Sequence, residues 1–96
     1  MSKFLFDERQ KKDVEQEDIE MLVGEFVKAN TKEKLENLLN GLLTPKEIEE
    51  FAKRIQLVRL LKKGVAQHEI AGKLGMGVAT VSRGARELKE GNFKTI

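Results

Sequence analysis

The chain has 96 residues, a formal net charge of +2, 40% hydrophobic residues, one Pro, one His and no Cys, Trp or Tyr. Such a length makes one domain at most, residues 1–96, and a monomer this small buries a modest fraction of its surface, so pairing with a second copy is expected to complete its stability. Without cysteine there are no disulfide frameworks, thiolate zinc sites or cysteine nucleophiles, and one His cannot build a metal site alone.

Abundant Leu, Glu and Lys, with β-branched residues that never alternate with polar ones over a strand length, predict an all-α fold. No apolar run approaches the roughly 20 residues of a membrane span. Met1-Ser2-Lys3-Phe4-Leu5-Phe6 is too short for a signal-peptide core, so a cytoplasmic protein without a membrane partner is expected. Charge is uneven along the chain: residues 1–40 carry 7 basic and 10 acidic side chains, residues 41–96 carry 11 and 6. The basic half is the candidate for a polyanion, although any single Lys is first of all part of a solvated helix face.

Residues 1–12 mix a short apolar cluster with Asp7-Glu8-Arg9-Gln10-Lys11-Lys12 and lack helical periodicity, which predicts a flexible arm. From about Val14 to Ala29, Ile19, Leu22, Val23, Phe26 and Val27 recur every three or four residues and make one apolar stripe on a first helix, with acidic residues in its first turns. Asn30 or Thr31 caps a second helix whose stripe is Leu35, Leu38, Leu39 and Leu42, with Gly41 expected to loosen its end. Thr44-Pro45-Lys46-Glu47 then sets a hydroxyl at the N-cap, Pro at the first helical position and Glu where it closes a capping box, so a third helix starts at Pro45.

That third helix runs to Lys63 before Gly64 stops it, with Ile48, Phe51, Ala52, Ile55 and Val58 as its apolar face and Leu57, Leu60 and Leu61 widening it. A face so wide predicts a central helix that touches both its own domain and a partner chain, within a helical dimerisation core over residues 13–63.

Residues 64–90 carry the pattern of a helix-turn-helix. Ala71 is small where two helices would cross, Gly75 is free to take a positive φ in the turn, and Ile70, Leu74, Met76 and Val81 fill the space between the helices. Val81, Ala85 and Leu88 continue the inner face of the second helix. Its outer face then carries Gly77, Val78, Ala79, Ser82, Arg83 and Arg86, small near the N-terminus and cationic further on, which suits a helix entering a major groove about 12 Å wide. Thr80 and Ser82 can donate to phosphates or bases, the methyls of Val78, Ala79 and Thr80 can meet thymine, and Gln67 and His68 stand at the first helix's start, where a phosphate contact is also expected. Arg86 and Lys89 complete the candidate DNA-binding set. His68 is more often read as a solvated residue at a helix start.

From Leu42 to about Lys89 the chain resembles the tryptophan repressor family and its shorter YerC/YecD-type relatives. The resemblance rests on Leu43-Thr44-Pro45 followed by Arg54, the Gly64 break, and Gly77-Val78-Ala79-Thr80-Val81-Ser82-Arg83-Gly84 leading to Leu88-Lys89. It implies a five-helix, intertwined homodimer in which the first three helices form a shared core and each chain offers one reading head. It also implies a corepressor site for L-tryptophan, with Arg54 and Arg83 flanking the indole and Leu43, Thr44 and Gly84 lining the same place. A planar guanidinium stacks on an aromatic face and pairs with a carboxylate, so the chemistry is coherent. The chain departs from the family at Glu87, which replaces a small residue near the ligand, in an interval one residue shorter after Gly64, and in its final residues 91–96, which stand in place of a last helix and read as a loose tail.

The resulting expectation is a homodimeric, sequence-specific transcriptional repressor of duplex DNA, its two recognition helices about 34 Å apart on a pseudo-palindromic operator. No cofactor is required, and a small amino acid such as L-tryptophan is the candidate corepressor. Two alternatives stay open: a ligand-independent regulator of the same kind, and a helical module that binds other proteins. Nothing suggests an enzyme, since no nucleophile has a base partner and no Gly-rich phosphate loop follows a strand.

Overall fold

The computed structural model describes residues 15–96. It contains five helices in chain order, α1 (Gln16–Lys28), α2 (Lys32–Leu42), α3 (Pro45–Lys62), α4 (Gln67–Leu74) and α5 (Val78–Lys89), and among the described residues there is no strand. The fold is all-α, as composition and periodicity predict. The arm over residues 1–12 and the start of the first helix at Val14 lie outside the described residues. The chain divides into two compact units, one ending at Thr44 and the other spanning Pro45–Ile96.

In the first unit, Glu17 and Asp18 occupy the first turn of α1 and Lys28 the last, the arrangement that the helix dipole favours. Thr31 is the N-cap of α2: its Oγ1 accepts from the Lys34 N–H at 3.2 Å, satisfying one of the helix's unpaired donors. Gly41 was expected to loosen the end of this helix, but α2 runs through it to Leu42. The stop comes from Leu43, whose extended backbone (φ −118°, ψ 148°) leads into Thr44-Pro45, where proline disfavours helical geometry in the residue before it. Neither α1 nor α2 contains a buried residue.

The second unit holds the core. Val58 of α3, Ile70 of α4 and Val81 of α5 are fully buried, Leu57 is 2% exposed, and Ala71 is buried where α4 meets its neighbours. Leu60, Leu61, Val65, Leu74 and Met76 pack around the cluster that Leu57, Ile70, Ala71 and Val81 form. Burying each large side chain stabilises by about 1.5–3 kcal/mol, which is what holds three helices together in so short a stretch. Within this unit α3, α4 and α5 each pack against the other two, so α3 is one of three mutually packed helices.

Glycine stops set the lengths of these helices. After α3, the Val65 N–H reaches back to Leu60 O at 3.1 Å and the Gly64 N–H to Leu61 O at 3.0 Å, a Schellman motif that needs Gly64 at φ 85°. The same six-residue closure recurs after α4, from Met76 to Ala71 O, and after α5, from Asn92 to Glu87 O. Three residues, Gly75, Met76 and Gly77, therefore suffice to turn α4 into α5.

The final residues correct an expectation. Residues 91–96 were read as a loose tail, but Lys62 Nζ donates to the backbone oxygens of Phe93 at 2.9 Å and Ile96 at 2.7 Å. Phe93 is half-buried. Sequence pattern misses such a segment because a strap held by one distant Lys and one ring has no periodicity.

Candidate nucleic-acid interface

The α4–turn–α5 pair builds one exposed face from local causes. Val81 points into the core and Ala85 and Leu88 are half-buried, so the residues between them on the helical wheel turn outward. Gly77 is the N-cap of α5 and its carbonyl receives the N–H groups of Thr80 and Val81 at 3.1 and 3.2 Å. Val78 follows, 62% exposed, an apolar side chain presented at the tip of the helix.

All nine residues singled out for DNA are exposed: Gln67, His68, Gly77, Val78, Ala79, Thr80, Ser82, Arg86 and Lys89. Ser82 Oγ donates to Gln67 Oε1 at 3.0 Å, so the start of α4 is tied to the outer side of α5. Two residues chosen separately as nucleic-acid contacts thus hold each other across the two helices. Arg86 and Lys89 lie in the last turn of α5, and no acidic residue stands in its first turn. The face therefore grades from small and neutral to cationic along the helix.

Behind this face, between α3 and α5, lies a cavity of about 360 Å³. Arg54 and Arg83 both line it, with Gly84 and Thr80 beside them, so three of the five residues assigned to the ligand by resemblance come together. Leu43 and Thr44 are not among its lining residues and belong to the unit that ends at Thr44. The Arg54 guanidinium lies 5.6 Å from the centroid of the Phe51 ring, within range of a cation–π contact that holds it in place. Gly84 has a packing reason of its own: a Cβ there would stand 2.7 Å from Leu57 Cδ2, so α5 can approach α3 this closely only without a side chain. Thr80 borders the cavity while remaining on the exposed side of α5, which joins the two sites at one residue.

Other lining residues escape a reading based on the arginines alone. Phe51 and Ile55 stand one helical turn apart on α3, where periodicity gives them a face but not an occupant. Phe93 sits in the strap. Glu87 also lines the cavity, and its Oε1 accepts from Asn92 Nδ2 at 2.6 Å, so its carboxylate is engaged by the strap.

An all-helical chain with two short helices set across a three-residue turn, and a cavity at the back of the second, has the architecture of a DNA-binding repressor. The chain belongs to the Trp repressor protein family, whose model matches residues 17–95. It is 41% identical over 69 residues to a Trp operon repressor homolog of Vibrio vulnificus, covering 70% of this chain and 68% of that one. A Trp operon repressor homolog of Xylella fastidiosa is 33% identical over 76 residues, 78% of this chain and 83% of its own. One from Vibrio cholerae is 43% identical over 58 residues, 59% and 56% of the respective chains. No solved structure matches the chain.

Proposed function

We propose that this protein is a homodimeric transcriptional repressor that places α5 in the major groove of a pseudo-palindromic operator. The observation that carries this is the α5 face: nine candidate contact residues all exposed on one pair of helices, with cations toward the far end and small residues at the tip. Gly77, Val78, Ala79 and Thr80 approach base edges, Gln67, His68 and Ser82 contact the backbone or bases near the groove's rim, and Arg86 and Lys89 meet phosphates. Dimerisation is supported by apolar residues that this chain leaves uncovered, among them Met21 at 63% and Val27 at 71% exposure on α1.

The cavity between α3 and α5 supports regulation by a small amino acid. Arg54 and Arg83 offer two guanidiniums to a carboxylate and to an aromatic face, with Gly84 beside them. Ligand held between α3 and α5 favours one angle of the reading head, and with it one spacing of the two heads in the dimer.

Fluorescence anisotropy with a labelled duplex tests the DNA-binding role. Affinity falls steeply with salt, and Arg86→Ala or Lys89→Ala each lowers the salt slope by about one while weakening all sequences alike. Ala79 and Thr80 variants change sequence preference instead, by about 1–3 kcal/mol per lost base contact. Binding indifferent to salt would contradict the proposal. Calorimetry with L-tryptophan tests the corepressor, and no heat at millimolar ligand identifies a ligand-independent repressor.

A further inference from the structure

Residues 91–96 leave α5 at Gly91, whose φ of 92° turns the chain back, and are pinned at two places. Near α5, Asn92 Nδ2 donates to Glu87 Oε1 at 2.6 Å. At the other end, the Lys62 ammonium, in the last turn of α3, donates to the backbone oxygens of Phe93 and Ile96 at 2.9 and 2.7 Å. Between these anchors Phe93 is half-buried and lines the α3–α5 cavity together with Phe51. A strap that merely followed the surface would need neither a charged donor shared by two of its oxygens nor an aromatic ring turned into a cavity.

With Phe93 in place about 360 Å³ remains open, so the ring is a wall and not a plug. That volume lies at the small end of the usual 300–1,000 Å³ range of ligand cavities, where one wall side chain decides what fits. The geometry points to Phe93 as a specificity-determining residue of this cavity, selecting a flat aromatic group, with Lys62 as the positioning residue that holds it there. This rests on the cavity being a binding site, but not on tryptophan being its ligand. The physical basis is the aromatic pair: Phe51 and Phe93 border the same space, and rings gain from edge and face contacts beyond the area they bury. Lys62 acts through the strap, since it is exposed and is not among the lining residues.

The protein has no Trp of its own, so Phe93→Trp introduces a single emitting indole. In the full chain its fluorescence should be shielded from acrylamide, and adding Lys62→Met, which keeps the stem and removes the ammonium, should shift the closed-to-open ratio by about threefold to tenfold toward the quenched state. In parallel, calorimetry on the unaltered protein and on Phe93→Ala uses free indole as the probe. Phe93→Ala is expected to weaken indole about tenfold, in keeping with the loss of one aromatic contact, with the helical circular dichroism unchanged. Phe93→Tyr, which keeps a ring, should restore most of the affinity. A freely quenched indole at position 93 whatever residue stands at 62, no uptake of indole by the unaltered protein, or equal affinity in Phe93→Ala would each overturn the assignment. L-tryptophan in the same cell separates the two ideas: indole taken up through Phe93 while L-tryptophan is refused supports Phe93 as the wall and defeats the tryptophan corepressor.

Discussion

The two units of this chain draw on the same side chains and put them to different use. Leu, Val, Ile and Phe recur at helical spacing in α1 and α2 as they do in α3 to α5, yet α1 and α2 bury none of their residues and the second unit fully buries Val58, Ile70 and Val81. Three helices that cross can surround a residue from several sides, whereas an amphipathic stripe on one helix covers its neighbour from one side only. Amphipathic periodicity thus shows which face will be covered. It does not show whether the cover comes from the same chain.

The largest expected effect comes from the buried cluster. Leu57→Ala should destabilise by about 2–5 kcal/mol in urea unfolding, because Leu57 is 2% exposed and its removal leaves a cavity under Gly84. Phe26→Ser in α1 is the matched test of the other unit. If a second copy covers that stripe, the variant loses about 1.5–3 kcal/mol and its unfolding midpoint becomes more dependent on protein concentration. An effect below about 0.5 kcal/mol would mean that the stripe stays in water and that the dimer, if any, uses another surface.

Two glycines in the second unit sharpen the contrast between packed and open positions. Gly84→Ala places a methyl 2.7 Å from Leu57 Cδ2, and overpacking of this kind costs about 1–3 kcal/mol, of which about 1 kcal/mol is offset by the better helix propensity of Ala. Gly72→Ala meets nothing within 4 Å and should stabilise by about 0.4–1 kcal/mol in the same urea unfolding. Both variants changing stability in the same direction would show that the close approach of α5 to α3 is not what Gly84 serves. Smallest of all is the Lys28–Glu25 pair at 2.9 Å: with both side chains mostly exposed, Lys28→Ala should cost no more than about 0.5 kcal/mol at low salt and nothing measurable at 1 M.

Much of the geometry of the candidate interface was legible because its determinants are local. Ala71, Gly75 and Val81 carry their requirements in their own size and backbone freedom, and once Val81 faces inward the outward position of Ser82 and Arg86 follows from 3.6 residues per turn. The helix starts at Thr31 and Pro45 were equally readable, since caps act over three or four residues. The family was readable too, from a run of residues around Gly77–Gly84 and an arginine at 54. The cavity was legible only in part. Arg54 and Arg83 could be paired by resemblance, but nothing at Phe93 announced a wall, and Glu87 gave no sign that Asn92 would engage its carboxylate.

By itself, then, the sequence determined the all-α class, the five helices, the starts at Thr31 and Pro45, the glycine stops at Gly64 and Gly75, and the face that α5 turns outward, because each depends on residues within one or two turns. Only the tertiary structure decided that α3 packs under α4 and α5, that Gly84 lets α5 settle on Leu57, and that Lys62 bonds back to residues 93 and 96, whose segment supplies Phe93 as one wall of the cavity. Those contacts join residues up to 34 positions apart. Chain periodicity carries no information over that distance; packing does, because each partner's place is fixed by the core they share.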